Sequence, residues 1–363
     1  MTSPNLFDYA TKELSQDAMI RWLIDWAGTE TDGDTDQEIL RQFGRAFVDA
    51  LFQKWRDWGY EVELDEVIRT EVWPQEHRID ILARVNGHHV LLIEDKTNTG
   101  AHGNQLEEYR SLVASGRTRL GEVAEDSLWP IYFRTGNHSF KEEQKAEESG
   151  YAVFKRCDFL RVLETYRGTS EILIDFRRHM KRWEEETNSF LDWTKGSQEW
   201  RTDGYERSEK SRRAKHGWEG FYRFIEEDWL KKLDDEWGAL GSLVGGYNGL
   251  WIEPNETSRG SKFAIWIIED KISFRLYGAE NGVSEQGMNR EKDYWASKFV
   301  EQDCNRLKRP SSLKSTKTKP MSVAEWPNWL VFRDDGQHDM QGSVQRLAEA
   351  RELLLSAIRS RPI

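Results

Sequence analysis

The stretch RIDILARVNGHHVLLIEDK, residues 78–96, decides how this chain is read. Two aliphatic runs, about 78–85 and 89–96, flank Asn86-Gly87, a strong hairpin signal. The second run is almost continuously apolar, as in a strand buried on both faces. It nevertheless ends in Glu94-Asp95-Lys96. Burying charges without partners costs several kcal/mol, so either the strand reaches water there or the charges belong to a catalytic metal site. Strand alternation puts Glu94 and Lys96 on one face and Asp95 on the other. Whether Asp80 shares the face of Glu94 depends on register. A strict two-residue turn pairing Val85 with His88 would set Asp80 opposite Ile93, on the wrong face. A three-residue loop with Gly87 in the left-handed conformation, or a bulge, restores a common face, and that form is predicted because the chemistry needs it.

Working outward, DAMIRWLIDWAG carries apolar residues at helical spacing with Ser15 or Asp17 as N-cap, and a second helix is expected over about 37–58. A strand over about 61–71 precedes the hairpin. GNQLEEYRSLVASG reads as a helix closed by Gly116, LWPIYFRTG and YAVFKRCD as strands, and 139–148 as a helix between them. This order makes an α/β domain over 1–170. Residues 171–216 read as a helical connector followed by an exposed basic linker, RSEKSRRAKHG. Residues 217–363 read as an α+β domain with strands GLWIEP, KFAIWIIE, ISFRLYG and NWLVFRD, a basic loop NRLKRPSSLKSTKTKP, and a last helix over about 343–360.

Two carboxylates converging at a strand end make a hard-oxygen site suited to Mg²⁺ or Mn²⁺, which keep waters and bind substrate phosphates. Lys96 beside them can stabilise charge on a phosphate. The following helix offers Gln105 and Tyr109, one turn apart on one face and able to orient Lys96. A second Ile-Glu-Asp-Lys at 268–271 lacks both the preceding hairpin Asp and the trailing helix, and reads as a hairpin turn.

Asp80, Glu94-Asp95-Lys96 and Gln105-x-x-x-Tyr109 together resemble the PD-(D/E)XK nuclease superfamily, the Gln/Tyr pair being similar to its RecB-like branch. The resemblance spans about residues 10–160. It implies a restriction-endonuclease-like mixed sheet flanked by helices, with Mg²⁺ or Mn²⁺ held by Asp80, Glu94 and the backbone carbonyl of Asp95. It further implies a Lys96 that contributes to hydrolysis, leaving 5′-phosphate and 3′-hydroxyl ends. Ile79 stands where the motif's nominal proline would be. A first-helix carboxylate sometimes joins the metal shell in such enzymes; Glu13 or Asp17 could do so here, and Glu71 is another candidate. His88 and His89 read as hairpin-loop residues and His102 as a substrate-loop contact.

Lys+Arg 52 against Asp+Glu 64 gives a net charge of −12, so nucleic-acid contact must be local rather than spread over the surface. The candidates are Lys308, Arg309, Lys314, Lys317 and Lys319 in one segment and Arg207, Lys210, Arg212, Arg213 and Lys215 in another. Most of the 17 Trp read as core or interface anchors. Two isolated cysteines, no leader pattern and no run of about 18 apolar residues fit a soluble protein of a reducing cytoplasm. The leading expectation is a metal-dependent nuclease of DNA in bacterial anti-phage defence or repair, acting as a homodimer or with a targeting partner. The alternatives are an RNA nuclease and a nuclease-fold binding or regulatory protein without turnover.

Overall fold

A computed structural model describes residues 7, 13–73, 75–97, 100, 103–201, 209–241, 247–258, 261–277, 285–310 and 321–360. The chain divides into two compact units, Met1–Glu185 and Glu186–Ile363.

The first unit opens with α1 (Glu13–Gly28) and α2 (Thr35–Asp57). Asp34 caps α2 by accepting hydrogen bonds from the Asp36 and Gln37 backbone N–H groups at 2.8 and 3.4 Å. The two helices cross closely because Gly44 has no side chain: a Cβ there would lie 2.6 Å from the Leu23 carbonyl oxygen. Then follow β1 (Thr70–Trp73), β2 (Ile81–Val85), β3 (His89–Lys96), α3 (Gln105–Ala114), β4 (Leu128–Arg134), α4 (Phe140–Glu148), β5 (Ala152–Lys155), α5 (Arg156–Leu163) and α6 (Glu171–Thr187). The strands form one mixed sheet in the order β1-β2-β3-β4-β5, antiparallel as far as β3 and parallel from β3 to β5. The strand expected over 61–71 is confined to its C-terminal end, with residues 61–69 irregular before β1.

Each face of this sheet carries its own core. Ile81, Ala83, Leu91, Ile93, Phe133 and Phe154 pack with Leu23, Phe47 and Leu51 of α1 and α2. Leu82, Val90, Leu92, Tyr132 and Val153 pack with Leu106, Tyr109 and Val113 of α3 and Ala146 of α4. Phe47 meets the rings of Phe133, Phe154 and Phe159 at 5.2–6.2 Å, so Phe47→Ala would cost roughly 3–5 kcal/mol.

The hairpin register is the one that three loop residues impose. Val85 pairs with His89 and Ile81 with Ile93, and Gly87 sits at φ +83°. Continued by one residue, this register sets Asp80 opposite Glu94.

The second unit is built on an antiparallel sheet of β6 (Glu236–Gly241), β7 (Tyr247–Glu253), β8 (Lys262–Ile268), β9 (Lys271–Tyr277) and β10 (Met321–Pro327), in the order β10-β9-β8-β7-β6. With it are α7 (Glu209–Asp228), α8 (Glu285–Gln302) and α9 (Met340–Arg359). Phe263 and Phe274 pack on Trp295 and Phe299 of α8. Trp193, Trp218, Trp295 and Trp329 are fully buried, which is the core role expected of them. The second Ile-Glu-Asp-Lys forms the β8–β9 turn, where Ile268 pairs with Lys271.

Two local readings need correction. The basic stretch expected as an exposed linker supplies the first turns of α7 from residue 209, where Arg212 pairs with Glu186 at 2.7 Å and Lys215 lies 3.8 Å from Glu219. NWLVFRD is not a regular strand; the strand is Met321–Pro327 just before it, ending beside Asn328 at φ +53°.

Candidate active site

The strand does not reach water at its charged end. Glu94 and Asp95 are 0% exposed and Lys96 7%, so a solvated strand end is ruled out and each charge must find its partner inside the fold. Alternation along β3 sends them to two different places.

On the α3 face, Glu94 and Lys96 continue the row begun by Val90 and Leu92. The Lys96 ammonium lies 2.5 Å from Glu94 Oε1, 3.0 Å from the Asp95 carbonyl oxygen and 3.5 Å from Asp80 Oδ2. Asp80 Oδ2 also accepts a hydrogen bond from the Asp95 backbone N–H at 3.0 Å, which locks the two strand ends together. Gln105, the first residue of α3, donates from Nε2 to Glu94 Oε1 at 2.7 Å and to the Tyr109 hydroxyl at 2.9 Å. The buried Tyr151 hydroxyl donates to the Leu106 carbonyl at 3.0 Å and anchors the start of the same helix to the sheet. Thus Asp80, Glu94, Lys96, Gln105 and Tyr109, singled out from sequence, share one connected hydrogen-bond network.

Burial first, and the Asp80 charge second, push Glu94 up to about 8 against the pull of Lys96. Burial likewise raises the Tyr109 phenol. Glu94 Oε2 is a buried carboxylate oxygen with no hydrogen-bond partner among the described residues. The donor set is therefore two carboxylates and a carbonyl that already converge on one positive charge, with one carboxylate oxygen still unsatisfied. Among the described residues no group of three His, Cys, Asp or Glu side chains is disposed to hold a metal. Asp80, Glu94 and the Asp95 carbonyl would hold an ion that readily keeps water ligands, as Mg²⁺ does. The residues fit such an ion.

On the opposite face, the Asp95 carboxylate accepts a hydrogen bond from Gln16 Nε2 of α1, and Thr135 just beyond β4 donates to Gln16 Oε1 at 2.5 Å. Asp17 of α1 stands against the Asp95 carboxylate; burial first, and then the charge and contact of Asp17, hold Asp95 well above the usual carboxylate range. Asp17 thus lies behind the strand and not in the metal shell weighed for it. Glu71 pairs with Arg69 and stands opposite Arg84 on β2, far along that strand from Asp80. The side chain of Glu13 and all of His102 lie outside the described residues. His88 is at the hairpin loop as expected, whereas His89 is buried, meeting Trp129 Nε1 at 3.1 Å and the Glu63 carbonyl at 3.1 Å.

Sequence reasoning missed Gln16, Thr135, Tyr132, Arg134 and Glu142. Parallel pairing sets Tyr132 opposite Glu94 and Arg134 opposite Lys96. Both turn to the α3 face, where Tyr132 and Arg134 each lie 3.5 Å from Glu142 Oε1 of α4. LWPIYFRTG could have flagged them only with the β3–β4 register in hand. Of the surface candidates, Arg309 is paired with Asp293 at 2.5 Å and Lys308 is joined by its backbone to Glu325. Lys314, Lys317, Lys319 and Arg207 lie outside the described residues.

A mixed sheet with helices on both faces, and an Asp/Glu/Lys set at adjoining strand ends, define the class: an α/β fold in which two carboxylates and a carbonyl gather on one lysine. A model of the PD-(D/E)XK nuclease superfamily matches residues 4–195, and the chain belongs to that superfamily. Its members are generally hydrolytic nucleases that use divalent metal ions. No curated protein and no solved structure matches the chain significantly. Among the described residues no helix is long and apolar enough to cross a membrane.

Proposed function

We propose that the chain is a metal-dependent nuclease that hydrolyses phosphodiester bonds in DNA, in the defence or repair setting that the resemblance implies. One observation carries the reading. The ammonium of Lys96 lies within 3.5 Å of Asp80 Oδ2, Glu94 Oε1 and the Asp95 carbonyl oxygen, so three oxygens are already aimed at a single cation.

Those three groups would hold Mg²⁺ or Mn²⁺, which when bound supplies a water of lowered pKa and positive charge beside the phosphate. The chain's own residues do the remainder. Lys96, whose ammonium lies among those oxygens, would stand beside the phosphate and pair with the charge that develops there. Gln105 keeps Glu94 Oε1 fixed, and Tyr109 keeps the Gln105 amide turned toward Glu94. This pairing supports a place near the RecB-like branch. Asp95 contributes its carbonyl forward while its side chain ties β3 back to α1.

The test is a cleavage assay of the purified chain on linear, supercoiled and single-stranded DNA and on RNA, in Mg²⁺, Mn²⁺ and EDTA, with Asp80→Ala and Lys96→Ala alongside. Metal-dependent cutting of DNA, lost in both variants, is the expected result. Cutting that survives in the variants would sink the assignment. Cutting of RNA alone would replace the substrate class, and metal binding by a wild type that cuts nothing would leave a binding module.

A further inference from the structure

Immediately before Asp80 the chain makes a tight turn, Glu76-His77-Arg78-Ile79. Ile79 N donates to the Glu76 carbonyl at 2.9 Å, and Glu76 N to the Ile79 carbonyl at 3.3 Å. Both central residues have positive φ, +52° at His77 and +69° at Arg78. Such primed turns favour Asn and Gly, because a side chain in the left-handed region crowds its own backbone. Here His and Arg occupy both positions. The turn is held in place by Glu76, whose carboxylate accepts from the Arg119 backbone N–H and from Arg119 Nε, each at 2.9 Å.

His77 and Arg78 are both exposed, and neither makes a hydrogen bond, ion pair or ring contact with any described residue. That sets Arg78 apart from the other cations near the site. Lys96 is engaged by Glu94, Arg134 by Glu142, Arg119 by Glu76 and Arg110 by Glu125, while Lys145 donates to the Gly103 carbonyl. A polyanion passing Asp80 would find those charges already committed, on a chain of net charge −12.

We infer that the His77-Arg78 turn is a substrate contact, in which Arg78 pairs with a backbone phosphate of the DNA next to the one that is cut. The inference rests on the nuclease reading above. Two residues span at most about 7 Å, so Arg78 cannot be far from Asp80 and its flexible side chain reaches outward from there. The left-handed backbone aims a cation where an unstrained strand would not, and strain of this kind gathers at ligand-binding segments.

The experiment compares wild type with Arg78→Ala, Arg78→Lys and Arg78→Gly. Binding of labelled DNA and RNA is followed by anisotropy in EDTA from about 50 to 200 mM salt, and cleavage kinetics are measured in Mn²⁺. Arg78→Ala is expected to weaken DNA binding about tenfold and to reduce the slope of log affinity against log salt by about 0.9, the value of one phosphate. The loss falls on KM more than on kcat, and Arg78→Lys retains the salt slope. Arg78→Gly binds as weakly as the alanine variant yet melts about 2–4 °C above wild type, because glycine relieves the turn. A purely structural role would instead tie binding to stability.

The proposal is overturned if wild type binds and cuts DNA and Arg78→Ala matches it in affinity and salt slope, or if the loss appears on RNA alone. If wild type neither binds nor cuts any nucleic acid, the nuclease reading fails and the turn's role fails with it.

Discussion

Glu94 makes the site pH-dependent. The unfolded chain releases this proton near pH 4.5, whereas in the fold burial and Asp80 hold it up to about 8. The folded state therefore binds the extra proton in between, and metal-free stability falls as pH rises from about 4.5 to about 8, then levels off. Asp95 is shifted in the same direction and adds to the slope. Glu94→Gln, which cannot ionise, is expected to leave the melting temperature in EDTA little changed at low pH and to raise it at pH near 8. Equal effects at both ends would show that Glu94 ionises freely. Metal must displace the same proton, so Mn²⁺ affinity measured by calorimetry should climb with pH up to about 8 and then flatten. Lys96 is the second competitor, because its ammonium occupies the point on which the oxygens converge. Lys96→Ala should bind Mn²⁺ about tenfold or more tightly, which about 1.4 kcal/mol of relieved charge repulsion supplies, while cleavage falls by at least about a hundredfold. Weaker metal binding in that variant would mean that the lysine helps to build the donor set.

At the scale of elements, the hairpin was legible and its neighbours were less so. Alternation, a local rule, placed Glu94 and Lys96 together. Asn86-Gly87 by itself suits a two-residue turn that would turn Asp80 away, and the three-residue loop was chosen because it brings Asp80 to Glu94. The buried ends of β2 gave no help: Ile81 and Leu82 face opposite sides and are both buried, so hydrophobicity does not choose the register. The pair that closes the loop does. Deleting Gly87 should leave Asn86-His88 as a two-residue turn that still pairs Val85 with His89, so Asp80 stays opposite Glu94. The expected result is a near-native far-UV spectrum with Mn²⁺ binding kept within about threefold; at least tenfold weaker binding would show that the shortened loop re-pairs the strands. Gln16 was illegible because its partners Asp95 and Thr135 are 79 and 119 residues away and meet it only through tertiary packing. Gln16→Leu removes the donor to Asp95 Oδ1 and the acceptor of Thr135, two buried bonds at once. Stability should fall by roughly 2–4 kcal/mol in urea unfolding, while a change below about 0.5 kcal/mol would mean that water takes over both roles.

For the molecule as a whole, composition bounded the answer without locating it. A net charge of −12 argued for local cations, yet two of the cations singled out for that role already face carboxylates at the surface, Arg212 that of Glu186 and Arg309 that of Asp293. Clusters of Lys and Arg in a sequence do not reveal which ones have carboxylate partners, since those partners come from other elements. The end of the first unit shows the same limit. From Ser170 onward the periodicity reads as a connecting helix, but α6 sends Leu173, Phe176 and Met180 into the core of the first unit, each 2% exposed or less, and Phe176 meets Phe159 at 5.3 Å. Each such side chain contributes about 1.5–3 kcal/mol by burial, together a large part of the roughly 5–15 kcal/mol that holds a domain folded. A chain ending at residue 187, the last of α6, should therefore unfold cooperatively and be stabilised by Mn²⁺, whereas one ending at residue 170 should lose most of its urea midpoint and its metal response. If both unfold at the same urea concentration, α6 adds nothing to the first core, and the sheet is covered on that face by α1, α2 and α5 alone.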